Sequence, residues 1–140
     1  MTRTNTFRRT LLAVAALSLS GMAMAQATVK LTLGHGAAAG NPRHEASVKF
    51  ADVVKTKSNG RIEVTVAPSG QLGDDAAMVT ALRTGALDMS ANSQGAVANT
   101  VPEYAAFGMP FLFGSLEQAW KVMDGAAGKE LAAKYAEKGL

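Results

Sequence analysis

The sequence predicts an α/β protein with a mainly parallel sheet flanked by helices. Three observations carry this: two short runs of period-two apolar residues, a helical period between them, and a connection long enough for a crossover helix. Val29, Leu31 and Leu33 alternate with Lys30 and Thr32, and Gly34 then frees the backbone to turn. Asn41-Pro42 starts a helix, since the Asn side chain can accept from an unpaired N–H and Pro at the first helical position has none to lose. Ala46, Phe50, Val53 and Val54 recur at helical spacing and predict one apolar stripe toward a core. Asn59-Gly60 ends the helix, and Arg61–Ala67, with Ile62, Val64 and Val66 on one face, is the clearest strand in the chain. The two strands are expected to be parallel, with the crossover right-handed. Their alternation suits strands near an edge better than strands covered on both faces.

Further on, Asp74 can cap a second helix from Asp75 to about Thr84, with Met78, Val79 and Leu82 on one face, and Gly85 ends it. Leu87–Ala91 predicts a short third strand, and Asn92–Thr100 a loop or a single turn. Tyr104–Phe113, dense in large apolar groups, is expected to include a buried extended segment. Ser115 and Gln118 form a capping-box pattern ahead of Leu116, Ala119, Trp120 and Met123. A last helix, about Ala127–Lys138, turns Leu131 and Tyr135 inward and stops at Gly139. Trp120 and Phe113 sit at buried-face spacing and read as core.

The amino end carries a different signal. Arg3, Arg8 and Arg9 precede an apolar run from Leu11 to Leu19 that ends in Ala23-Met24-Ala25. This is the pattern of a secretory signal peptide over residues 1–25, with cleavage before Gln26. A membrane anchor would need roughly 20 apolar residues, and Ser18, Ser20 and Gly21 interrupt this run. Cleavage removes three of the 14 basic residues and none of the 11 acidic ones, so the exported chain is formally neutral. A neutral surface of interleaved charges offers no basic face for phosphates, which argues against nucleic acid as a partner. The absence of cysteine excludes disulfides, thiol catalysis and Cys-ligated zinc. The remaining length suits one core.

No catalytic set emerges. His35 and His44 stand nine apart, in a loop and near a helix start, without metal-ligand spacing on a common helix face. No Gly-x-Ser-x-Gly turn or phosphate-cradling loop is found. Asp74 and Asp75 could form an acid/base pair, but they better suit the positive end of the helix they begin, one as cap and one in the first turn. In a parallel α/β sheet the loops leaving the carboxyl ends of the strands gather on one rim, where ligands bind. Here those loops are 34–41, 68–74 and 92–100. The first and third offer small residues with isolated polar groups, His35, Asn92, Ser93 and Gln94, which suits either a small polar solute or an ordinary solvated surface.

Five motifs in order add a resemblance: Ser58-Asn59-Gly60-Arg61-Ile62-Glu63-Val64, Pro68-Ser69-Gly70-Gln71-Leu72-Gly73-Asp74-Asp75, Arg83-Thr84-Gly85-Ala86-Leu87-Asp88-Met89, Val101-Pro102-Glu103 and Met109-Pro110-Phe111-Leu112-Phe113. Together they resemble the DctP-type solute-binding proteins of TRAP (tripartite ATP-independent periplasmic) transporters. The resemblance implies a type II-like periplasmic-binding-protein lobe, the first of two that close around a small organic acid. It implies delivery of that ligand to a TRAP permease in the membrane, no catalysis, no cofactor and no metal. Residues 26–140 would then be most of the first lobe, with the second lobe and its carboxylate-clamping arginine beyond Leu140. By position, first-lobe ligand contacts would fall at His35, Gly36, Asn92, Ser93 and Gln94, with Asp75 nearby. Gly36 and Ser93 differ from the amide and carboxylate of sialic-acid-binding relatives. An extracytoplasmic sensory module and a periplasmic α/β enzyme are the competing readings. By itself the segment 26–140 is expected not to fold stably, because sheet edges would be exposed.

Overall fold

A computed structural model describes residues 27–140; the leader and its cleavage point lie outside the described residues. The two alternating runs form β1 (Val29–Gly34) and β2 (Ile62–Ala67), joined by helix α1 (Pro42–Lys57). They pair in parallel, in register from Val29 with Ile62 to Gly34 with Ala67. β3 (Met89–Ser90) pairs in parallel on the other side of β1, giving the order β2-β1-β3. The alternation has a positional cause. β2 is an edge among the described strands, and β1 starts exposed at Val29 and Lys30 and is buried only from Leu33.

β3 is shorter than the expected Leu87–Ala91. Asp88 Oδ2 accepts the Thr32 N–H at 2.8 Å, so a side chain takes the place of a ladder carbonyl. α2 (Asp75–Arg83) follows β2, with Asp74 Oδ1 accepting from Ala77 N at 2.8 Å as its cap. Met78 and Val79 of α2 are buried with Leu33, Val64, Leu87, Val101 and Leu131, and this is the core. α3 (Gln94–Ala98) is the single turn after β3, followed by a 3-10 helix (Pro102–Gly108), α4 (Leu116–Met123) and α5 (Ala126–Glu137).

Three expectations are corrected. The stripe Ala46, Phe50 and Val53 does not face the sheet: Phe50 is 44% exposed and Val53 37%. The covered face of α1 is instead Arg43, Ser47, Ala51, Val54 and Ser58, which are buried or half-buried at helical spacing. Polar anchors set this rotation. Arg43 reaches Ala91 O and Asp75, and His44 reaches His35; the buried Ser47 Oγ is satisfied within the helix, donating to Arg43 O at 2.8 Å.

The segment Tyr104–Phe113 holds no buried strand. Pro102 begins the 3-10 helix, whose three-residue period brings Tyr104 and Phe107 together at 5.8 Å. Beyond it Phe111 is fully exposed with φ +61°. Trp120 is the third correction, 61% exposed on an outward apolar face with Leu116, while Phe113 is half-buried against Phe107. The cap of α4 does form: Ser115 Oγ accepts from Gln118 N at 3.2 Å, and Gln118 Oε1 returns to Gly114 N at 2.9 Å.

Candidate functional site

The loops after the three strands meet at the carboxyl end of the sheet, as the parallel topology requires. Ser69 N donates to Ala37 O at 2.9 Å and Gly70 N to His35 O at 3.1 Å, which ties the loop after β2 to the loop after β1. The third loop is held by a side chain: Asp75 Oδ2 accepts from Ser93 N at 2.7 Å. Between the first two loops and the amino ends of α1 and α2 lies an open cleft of about 700 Å³. Gly36, Ala37, Asn41, Arg43, Asp74 and Asp75 line it, with Gly70 and Gly73.

Asp75 is the centre of this arrangement. Arg43 Nη1 stands 3.5 Å from its Oδ2 and 3.4 Å from Ala91 O. Burial by itself would raise the Asp75 carboxyl. Hydrogen bonds from Ser93 and the positive charge of Arg43 outweigh it and hold the pKa below the ordinary aspartate value. The group is therefore ionised at neutral pH. Oδ1 lies beside Gly36, where a Cβ would meet it at 3.1 Å, so the bare glycine leaves this oxygen room.

His35 lies beneath the cleft and is wholly buried. Its Nδ1 accepts from Ala37 N at 3.2 Å, which requires a lone pair there. Its proton is therefore on Nε2 and is donated to His44 Nδ1, 3.2 Å away. Burial lowers the His35 pKa, and the neighbouring His44 and Arg43 lower it further. Sequence spacing gave no reason to join these two histidines; the turn 35–41 folds one onto the other. No group of three or more His, Cys, Asp or Glu suited to a metal ion occurs among the described residues.

Of the six residues named from the sequence, Gly36 and Asp75 line the cleft and Ser93 is bonded to Asp75. His35 supports the floor. Asn92 lines a different pocket, with Val79, Leu82 and Tyr135, and its Nδ2 donates to Ser90 Oγ at 2.7 Å. Gln94 donates to Tyr104 O at 3.1 Å and packs against Gly108. Sequence reasoning missed Arg43. Only its position in the first turn of a helix that starts at the rim could have pointed to it.

The profile of the family described as bacterial extracellular solute-binding protein, family 7 (DctP) matches residues 33–140. The uncharacterized protein y4mM of Sinorhizobium fredii is 53% identical over 116 residues, 83% of this chain and 21% of y4mM. Among solved structures, the sugar acid binding protein DctPAm of Advenella mimigardefordensis in complex with galactonate is 34% identical with a TM-score of 0.75. The match covers 81% of this chain and 36% of DctPAm. A TRAP periplasmic solute binding protein of Sulfurospirillum deleyianum with bound succinate is 31% identical at a TM-score of 0.71, with 81% and 36% covered. The chain thus spans between about a fifth and two fifths of the length of these relatives.

Proposed function

Because this chain belongs to the bacterial extracellular solute-binding proteins of family 7, we propose that it forms one wall of a periplasmic receptor for a small organic anion. The receptor hands its ligand to an ion-gradient-driven TRAP permease. Residues 26–140 supply most of the first lobe, after a leader over residues 1–25 that is cleaved before Gln26. The facing lobe corresponds to the remaining length of the relatives, and with it the arginine that clamps a carboxylate in bidentate fashion. Gly36, Asp75 and Ser93 serve the ligand side of the cleft, His35 holds its floor, and Asn92 and Gln94 fix the third loop. The protein binds and releases; it has no catalytic role. The sensory and enzymatic readings have no observation of their own in their favour.

One observation carries the proposal: Asp75, bonded to Ser93 N and paired with Arg43, joins the loop after β3 to α1 beside a cleft floored by bare glycine backbone. Such a rim closes on a ligand when the closed state binds it better than the open one. The proposal is tested by calorimetry of the full-length receptor against a broad panel of mono- and dicarboxylates. Binding of at least one acid is expected, and absence of heat with all of them overturns it. Amino-terminal sequencing of the exported protein checks that Gln26 comes first.

A further inference from the structure

We propose that the buried pair His35 and His44 is a proton-operated latch on the cleft: with both rings neutral it holds the loop after β1 against the loop after β2, and uptake of a proton releases Gly36, Ala37 and Gly70 from the wall. The latch regulates the cleft of the receptor reading above and rests on that reading only for what the cleft holds.

The hydrogen bonds run in one direction. Ala37 N donates to His35 Nδ1 at 3.2 Å, and His35 Nε2 carries the proton given to His44 Nδ1, also at 3.2 Å. A backbone N–H can only donate, so His35 Nδ1 must accept, Nε2 must donate and His44 Nδ1 must accept. A further proton has only the two accepting nitrogens to enter. On either of them it sets two donors face to face, and one link of the relay opens. His35 is wholly buried, so the imidazolium reaches water only if the loop that covers it moves.

The charged groups around the ring do not offset this. Burial opposes a charge on His35 most, followed by His44 and Arg43 on α1, while Asp75 on α2 favours one. Asp75 Oδ2, however, is taken by Ser93 N and Arg43. Asp74, the other acid at this end, caps α2 through Oδ1. Residues 68–73 of the loop after β2 carry no charge.

The latch acts on the wall because the residues it fixes are the crosslinks between the two loops. His35 O accepts from Gly70 N at 3.1 Å, and Ala37 O accepts from Ser69 N at 2.9 Å. Gly36, Ala37 and Gly70 all line the cleft. Residues 36–41 are small or polar and none of them is buried, which leaves the His35 ring as the anchor of the loop. A segment with so few buried contacts opens locally once its anchor is lost.

The experiment is NMR of the full-length receptor without ligand, reading the His35 ring nitrogens together with amide hydrogen exchange at pH 8 and pH 5. At pH 8 the His35 proton is expected on Nε2. Protection of the Ala37, Ser69 and Gly70 amides, corrected for intrinsic exchange rates, should fall at least tenfold at pH 5. The closed form binds fewer protons than the open one, so acid favours opening. One proton taken up by an exposed histidine of pKa about 6.5 corresponds to about thirtyfold over this range. At pH 5 the three amides should also be at least tenfold less protected than Ala51 and Val54 inside α1, which marks local opening rather than unfolding. His35→Gln should abolish the fall, and its persistence there overturns the latch. If that variant does not fold, the unaltered receptor decides. Equal protection of Ala37 and Gly70 at both pH values, a His35 proton on Nδ1 at pH 8, or protection matching that of Ala51 and Val54 at pH 5 overturns the latch and leaves the receptor reading intact. Opening with acid in a receptor silent toward the whole acid panel overturns that reading and leaves the latch standing.

Discussion

His35 Nε2 and His44 Nδ1 lie 3.2 Å apart, joined by a hydrogen bond whose direction is set by Ala37 N donating to the other His35 nitrogen. This pair ties the loop after β1 to the first turn of α1, and both histidines must be neutral for it to persist. Because burial, with His44 and Arg43, lowers the His35 pKa in the folded state, the unfolded chain binds a proton at a higher pH than the native one. Stability therefore falls as pH drops below the unfolded value of about 6.5, and levels off below the lowered native value. Each unit of difference is about 1.4 kcal/mol. Denaturant unfolding of the receptor between pH 8 and pH 5 should show this acid slope, and His35→Gln should flatten it. An unchanged slope in His35→Gln would place the titration elsewhere.

Ser58 closes α1 and starts β2 with one buried hydroxyl. Its Oγ accepts from Ile62 N at 3.0 Å and contacts Lys55 O at 3.1 Å. Ser58→Ala strands the half-buried N–H of Ile62 and should cost about 1 kcal/mol. Thr84→Ala, which removes an exposed hydroxyl bonded within its own helix, should stay within about 0.5 kcal/mol. Equal melting shifts for the two variants would contradict this.

Gly34 ends β1 against the core. A Cβ there would stand 2.7 Å from Met78 Sδ and 3.3 Å from Leu72 Cδ1. Met78 is fully buried, so it has little room to withdraw. Gly34→Ala should therefore destabilise by about 1–3 kcal/mol through overpacking. Adding Met78→Leu, which removes the sulfur end, should recover part of that loss, giving a coupling above about 0.5 kcal/mol in a double-mutant cycle. Strictly additive effects would mean the clash is absorbed by Leu72 instead.

The backbone of this lobe was legible because its signals are local. Asn41, Asp74 and Ser115 cap the helices they were expected to cap, and the Val29–Leu33 and Ile62–Val66 alternations are the paired strands. What escaped depends on partners distant in sequence. The face that α1 buries is chosen by Arg43 reaching Ala91 and Asp75, not by its apolar stripe. The loops after the strands do gather at the carboxyl end of the sheet, yet only Gly36 and Asp75 of the six named residues line the cleft, since Asn92 and Gln94 bond to Ser90 and Tyr104. No periodicity encodes such cross-loop bonds.

The outward face of α4 leads to the last prediction. Its apolar spacing is that of a core helix, yet Leu116 is 67% exposed and Trp120 61%, and in the segment before it Met109 is 54% exposed and Phe111 fully so. Sequence periodicity reports that a face is apolar, not what covers it. An apolar surface of this kind promotes association when left bare. Residues 27–140 produced alone should therefore self-associate at micromolar concentration in sedimentation velocity, and Leu116→Gln with Trp120→Gln should shift the material toward monomer. Trp120 is the single tryptophan in the chain, so its emission reads the same surface. It should be red-shifted in any dissociated species and blue-shifted once the face is covered. Monomeric behaviour at tens of micromolar with the emission of a buried indole would mean that α4 packs inward and the exposed face does not exist in solution.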